Sequence, residues 1–537
     1  MLPILARRPF VRRLLSSAAV VLALIGTAPG ARAEVTTFLQ TMAAAASSDQ
    51  AVADWYRSTD YVPVWTGETD AERRTALFSA LATAADHGLP PARYDLEGLQ
   101  AAFGQVTTAE DLARLEVAMT RSYLTWADDL TSGMLEPKAI DSTIVRDIVH
   151  EDPQALMLAV TQGNPWQAMQ DLLPQSNVYA QLVKAKIGLE IAMTEGGWGP
   201  VVPGGGALGP GAQGGRVVAL RDRLIAMGYL HRSATQTYDR DIEAAVSAYQ
   251  TENGLKVTGT AGAETIAHLN VPPEERMKSI LVAMERERWM DIDRSGRIIW
   301  VNLPDFTAKI LDDGVLTFST RAVIGRQDMD RRTPEFSDEM NHMVVNPSWG
   351  VPRSIIVNEY LPLLQGNPHA VSHLQVIDSA GRVVPRGSVN FARFTARSFP
   401  YGLRQPPGDG NALGKVKFMF PNKYNIYLHD TPAKSLFSHD VRAYSHGCIR
   451  LADPIDFAHV LLSAQSHAVE EEFDGYLKSG LESPVKFERV IPVHLVYFTA
   501  YPEASGRIGY RADVYDRDAM LWDALAAAGV ALPSVSQ

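Results

Sequence analysis

Cysteine is almost absent: the chain of 537 residues holds one, Cys448. No intrachain disulfide can form, and a lone thiol in an oxidising compartment invites oxidation unless it is buried or needed. Positive charge is also in short supply. Fifty Lys and Arg face 61 Asp and Glu, a formal net charge of -11, and the isoelectric point is near 5.7. This argues against a nucleic-acid partner, which calls for a basic face or stripe. Beyond the N-terminus no apolar run approaches the roughly 20 residues that a membrane-spanning helix needs. What remains, 46% apolar and 21% charged residues, excludes a disordered or fibrous chain and suits two to four globular domains.

The N-terminus reads as a signal peptide over residues 1–33. Arg7, Arg8, Arg12 and Arg13 precede an apolar run from Leu14 to Ile25, and Ala31-Arg32-Ala33 supplies the small-x-small cleavage pattern. Export is the expectation. If left uncleaved, the segment would act as an N-terminal membrane anchor. Arg7-Arg8 weakly resembles a twin-arginine signal and leaves the export route open.

Residues 34–198 show three- and four-residue apolar spacing and predict a helical scaffold domain. The Gly- and Pro-rich stretch 199–215 sustains neither helical nor strand periodicity and predicts a linker. Residues 216–272 predict a small helical domain, with Leu220, Leu224 and Ile225 on one face and Ile242, Val246 and Tyr249 on another. From about 290 to 470 short β-rich runs predict a mostly-β catalytic domain. A long insertion at 353–405 interrupts it and reads as a lid, packed by Leu361, Leu363 and Leu364 and flexing at Gly402 and Gly408. The C-terminal segment, 471–537, is expected to pack on the scaffold.

The chemistry is concentrated at Ile426-Tyr427-Leu428-His429-Asp430 and Tyr444-Ser445-His446-Gly447-Cys448-Ile449-Arg450. Strand alternation places Tyr427 and His429 on one face. A cysteine attacks as thiolate and needs a base or a positive environment, which His429 or His446 could provide. Gly447 lets the chain bend beside the nucleophile and leaves amides to face a developing oxyanion. Asp453-Pro454 predict a helix start whose positive end would favour the thiolate. The same residue types admit a rival, a zinc site from His429, His439, His446 and Cys448, but the spacings match no zinc pattern.

His429 followed 19 residues later by Cys448, within Ser-His-Gly-Cys-x-Arg, resembles the active-site signature of the L,D-transpeptidases. The likeness extends to Asn346-Pro347-Ser348-Trp349-Gly350 and Asn411-Ala412-Leu413-Gly414, and to Tyr61-Val62-Pro63-Val64-Trp65 of the N-terminal part. It is closest to the large Gram-negative members. Residues 216–270 resemble the peptidoglycan-binding-like domain of wall enzymes.

The resemblance implies a multidomain α+β fold: a mostly-β catalytic domain with a lid, a helical scaffold and a small three-helix peptidoglycan-binding-like domain. It implies Cys448 as nucleophile, His429 as base, His446 as loop-orienting or alternative base, and Gly447 in the oxyanion hole. Arg450, Ser445, Tyr427 and Trp349 would bind substrate, and the Asp430 carbonyl would orient His429. No metal and no cofactor are expected. The implied partners are peptidoglycan stem peptides and carbapenem-type inhibitors, in the periplasm. Cys448 would acylate on the L-centre of diaminopimelate, release D-Ala and pass the acyl group to an amine. Water as acceptor would make a carboxypeptidase, and a lipoprotein lysine an anchoring enzyme. A non-catalytic wall-binding scaffold is the reading from a different class.

Overall fold

The computed structural model describes residues 29–533 except 291, and side chains from 34 onward. The signal peptide expected over 1–33 therefore lies outside the described residues, apart from the first turn of the helix Pro29–Ala46. Among the described residues no helix is long and apolar enough to cross a membrane.

The chain divides into two compact units. The first, residues up to 85 with 89–131 and 150–173, is helical. Its longest helix, Ala109–Thr131, buries Leu115, Met119, Tyr123 and Trp126. The same helix carries a buried carboxylate, Glu116, which accepts the amides of Val64 at 2.6 Å and Thr66 at 2.9 Å and the Tyr56 hydroxyl at 2.7 Å. A buried charge persists only where donors surround it, so Glu116 fixes the turn around Val64-Trp65.

The second unit comprises 86–88, 132–149 and the chain from 174 onward. Segments 132–149 and 174–198, placed with the scaffold on sequence grounds, fold here because their apolar residues pack against the helix Pro273–Arg288. The small helical part, with helices Gly215–Ala226, Arg240–Glu252 and Ala263–Leu269, closes its own core around Leu220, Leu224, Ile242 and Val246. The stretch 199–215 is not an open linker: Val202 and Leu208 insert into that core, and Leu208 bridges to Ala261.

The β-rich part is built on strands β1 (Arg297–Asn302), β2 (Thr307–Asp312), β3 (Val315–Gly325) and β4 (Phe336–Val345). The lid contributes β5 (Trp349–Gly350), β6 (Gln375–Ile377), β7 (Val383–Val384) and β8 (Gly402–Gln405). The catalytic sheet resumes with β9 (Val416–Met419), β10 (Leu428–His429), β11 (Ala443–Ser445), β12 (Ile449–Leu451) and β13 (Ser483–Val496). Nine strands run in the order β11-β3-β12-β10-β9-β4-β13-β1-β2, and β2 also pairs with β3, so the sheet closes on itself. Closure leaves only the three-residue β11, paired on one side with β3, as a strand edge where other chains could pair. Its interior is filled by Ile299, Val301, Met343, Phe418, Leu428 and Leu451, among others.

Residues 471–537 touch part of the segment expected in the scaffold, with Arg517 paired to Asp141 at 3.2 Å, but they are not a separate segment. They supply β13, the strand between β4 and β1, because alternate apolar residues from Val485 to Leu495 complete the barrel core. The following helix, Arg517–Ala527, packs on the helix Pro273–Arg288.

The lid is a small folded body with its own sheet, β5-β8-β6-β7. Ile355, Leu361, Leu364, Val376 and Phe391 form its core. Leu363, expected inside, is 51% exposed. Gly402 is no flexible point. It lies in β8, where a Cβ would meet Ile377 at 2.9 Å, so it permits close strand packing.

Candidate active site

Sheet register brings the signature residues together. β10 pairs in parallel with β12, with Leu428 opposite Ile449 and His429 opposite Arg450. Cys448 sits immediately before β12, at the wall of a cleft of about 1050 Å³ that Tyr427, His429, Arg450, Trp349 and the lid residues Arg353, Glu359 and Tyr360 also line.

His429 is 4% exposed. Its Nδ1–H donates to the Asp430 carbonyl at 2.5 Å, which leaves Nε2 as the acceptor nitrogen of a neutral ring. Burial, reinforced by the Arg450 charge, holds the imidazole down at about 3. The Asp430 carboxylate anchors this geometry. It accepts the Lys415 amide at 2.8 Å, the Thr431 amide at 2.7 Å and the Lys434 ammonium at 2.8 Å. Gly414, at φ +60°, is required there, since a Cβ would stand 2.2 Å from the Asp430 carboxylate.

Cys448 is half-buried. Burial pushes its thiol up to about 11, against weaker opposing help from Tyr427 hydrogen bonds and the Arg450 charge. The expected stabilisation of thiolate by a nearby helix is not what dominates. The helix Pro454–Leu462 does form, but Asp453 makes no side-chain cap and instead accepts the Thr320 hydroxyl at 2.9 Å. The thiol donates to the Asn425 carbonyl at 3.5 Å. Among the described residues no hydrogen bond joins it to His429.

The loop carrying Cys448 is braced from within. Gly447 adopts φ +115°, and its amide donates to Ser445 Oγ at 3.1 Å while that hydroxyl donates to the Cys448 carbonyl at 2.5 Å. Ser445 is 1% exposed and its only O–H is spent in the loop. It therefore braces the turn while lining the cleft, and the Gly447 amide is already engaged by the Ser445 hydroxyl. The Gly447 carbonyl accepts the Thr333 hydroxyl at 2.7 Å.

His446 Nε2 pairs with Glu359 of the lid at 2.7 Å, and Arg331 reaches the same carboxylate oxygen at 3.1 Å. The Tyr427 ring lies 5.6 Å from the His429 ring, centroid to centroid, and burial holds its phenol well above the ordinary range. Arg450 Nε is buried without a partner. Glu359, Asn425, Thr333 and Arg331 carry no signal in local periodicity, because each acts across a long sequence separation or through its backbone.

Three family descriptions match the chain: a scaffold domain over 50–185, a "Putative peptidoglycan binding domain" over 213–269 and an L,D-transpeptidase catalytic domain over 296–472. A Haemophilus influenzae protein named "Putative L,D-transpeptidase" is 33% identical over 239 residues, covering 44% of this chain and 48% of that relative. The match thus spans about half of the relative's length. Solved structures of L,D-transpeptidases from Xylanimonas cellulosilytica and Stackebrandtia nassauensis are similar at 15% and 14% identity. Each alignment covers 55% of this chain, with 98% and 96% of theirs, and TM-scores are 0.17 and 0.22. Residues 296–472 thus match the L,D-transpeptidase catalytic domain, and matches to a scaffold domain and a peptidoglycan-binding domain lie in the same polypeptide.

Proposed function

We propose that the protein is a periplasmic peptidoglycan L,D-transpeptidase acting through a Cys448 acyl-enzyme. The observation that carries this reading is the sole thiol of the chain at a deep cleft wall, beside an imidazole whose tautomer is fixed by the Asp430 carbonyl.

With the thiol near 11 and the imidazole near 3, the resting pair is neutral. On substrate binding the thiol turns from the Asn425 carbonyl toward His429. Nε2 takes the proton as Sγ bonds to the carbonyl carbon that follows the L-centre of diaminopimelate. The C–N bond to D-Ala then breaks and His429 returns the proton to the leaving amine. Arg450, with an unpartnered nitrogen in the cleft wall, suits a stem carboxylate. An acceptor amine resolves the thioester and cross-links two stems. His446 is engaged by Glu359, which favours a role in seating the lid and leaves His429 as base. The small helical domain would hold the enzyme on the wall.

Mass spectrometry of the purified protein with disaccharide tetrapeptides tests the reading. An acyl-enzyme, released D-Ala and cross-linked dimers are expected, together with a carbapenem adduct on Cys448. Cys448→Ala should abolish all four. Unimpaired biological activity of Cys448→Ala would instead favour a wall-binding scaffold, and hydrolysis without dimers a carboxypeptidase.

A further inference from the structure

A second cavity, about 550 Å³, adjoins the catalytic cleft. It is walled by the 138–149 segment, the residues after the helix Pro273–Arg288, the start of β4 and the turn 421–424. Tyr424 lines both spaces. The next residue, Asn425, holds the Cys448 thiol through its carbonyl, so the second cavity begins one residue from the nucleophile's own contact.

Its charges do not balance. Arg146 is 7% exposed, and its guanidinium donates only to neutral oxygens, Ser337 Oγ at 2.9 Å and the Leu495 carbonyl at 2.6 Å. Among the described residues no carboxylate pairs with it. Glu335, the acid whose charge it feels most, is held by Arg286 at 2.6 Å and Arg517 at 3.1 Å. A buried cation without a counter-ion is costly to keep, and this one lines an open cavity. Lys138 is paired with Asp147 at 2.8 Å. Lys423, over the Tyr424 ring at 5.2 Å, has no ion pair among the described residues. Three cations thus face two carboxylates, Asp147 and Asp338, and the surplus is positive.

We propose that this cavity is a carboxylate-binding subsite that seats the anionic part of the acceptor stem peptide, with Arg146 and Lys423 as its cationic groups. The inference rests on the transpeptidase reading. A donor stem fills the catalytic cleft up to the thioester, so the acceptor has to approach from an adjoining space, and a stem peptide carries free carboxylates that a cationic cavity attracts. Seated there, the acceptor extends past Tyr424. Its amine nitrogen bonds to the thioester carbonyl carbon, the C–S bond breaks, and the amine proton returns through His429 to the Cys448 sulfur.

The test uses the full chain with the two half-reactions separated. Donor acylation is followed by intact mass, and transfer by cross-linked product against acceptor concentration. Lys423→Glu, on an exposed side chain, and Arg146→Met, of similar volume, are expected to raise the acceptor KM about tenfold or more. Acylation should stay within about twofold, the allowance for small context effects. The penalty should vanish for an acceptor whose carboxylates are amidated. An unchanged acceptor KM in the well-folded Lys423→Glu variant, or an equal penalty on the amidated acceptor, overturns the subsite while leaving the catalytic assignment intact. Failure of the unaltered chain to form any acyl-enzyme overturns both.

Discussion

Thr333→Val isolates how the nucleophile loop is held. Thr333 is fully buried; its hydroxyl donates to the Gly447 carbonyl at 2.7 Å and accepts the Gly325 amide at 2.9 Å. Valine replaces the hydroxyl by a methyl of nearly equal volume, so no cavity opens, but a buried carbonyl and a buried amide both lose their partner. Each orphaned group costs about 1–3 kcal/mol, so the pair should cost roughly 2–6 kcal/mol. For a unit of this size that lowers the melting temperature by about 2–7 °C. The freed Gly447 carbonyl lies one residue before Cys448, the proposed nucleophile, and misplacement of about 1 Å can cost about 100-fold in rate. Circular-dichroism melts and the acylation rate against a carbapenem measure the two effects, with Thr333→Ser as the variant that keeps both hydrogen bonds. A Thr333→Val protein that melts within about 1 °C of the parent, the scale of a neutral substitution, and acylates at the parental rate would refute the reasoning.

Further outcomes follow from the same geometry. With the thiol near 11, its iodoacetamide alkylation should rise about tenfold per pH unit from 7 to 10, and a plateau by about pH 8, near an ordinary thiol's value, would contradict the assignment. His429 and His494, 4% and 7% exposed, are held neutral down to about 3 and 4. Their stabilising contribution is full above the ordinary value of about 6.5 and is lost as pH falls toward these native values, because only the unfolded chain takes up the protons. By about pH 4.5 each should cost roughly 2–3 kcal/mol, visible as a lower urea midpoint; equal midpoints at pH 7 and at that lower pH would contradict this. Glu359→Gln weakens the half-exposed pairing with His446 and Arg331, worth about 1 kcal/mol or less. It should speed hydrogen exchange across 353–405, whereas a bound carbapenem should slow it. Exchange unaffected by either would mean a rigid insertion.

That His429 and Cys448 share one cleft could be read from the sequence because the fold expresses it locally: two short parallel strands, β10 and β12, carry His429 and the residues after Cys448. The Asp430 carbonyl could be anticipated from its adjacency to His429. The helical and β-rich halves showed in their periodicities. Other features depend on groups that meet only after folding. Thr333 reaches Gly447 over 114 residues and His446 reaches Glu359 over 87, and no period encodes such a meeting. The mutual bracing of Ser445 and the Gly447 amide was obscured because a hydroxyl and an amide look equally available until their partners are counted. The place of β13 was hidden because an amphipathic strand says that it has a buried face and not which neighbours cover it.

The position of β13 also sets the order in which the molecule can come into being. Ile299 pairs with Val493, and Met340 with Ile491, so the barrel's first strand waits for a partner nearly two hundred residues later and its fourth for one about one hundred and fifty later. Until residue 496 has left the ribosome, β1 and β4 present bare backbone toward an empty slot, even though the residues of the catalytic pair have been synthesised. Contacts of such long sequence separation form slowly and leave edges open to wrong pairing in the interval. A chain interrupted before β13 would keep the whole transpeptidase signature and still be unable to close the sheet that aligns it.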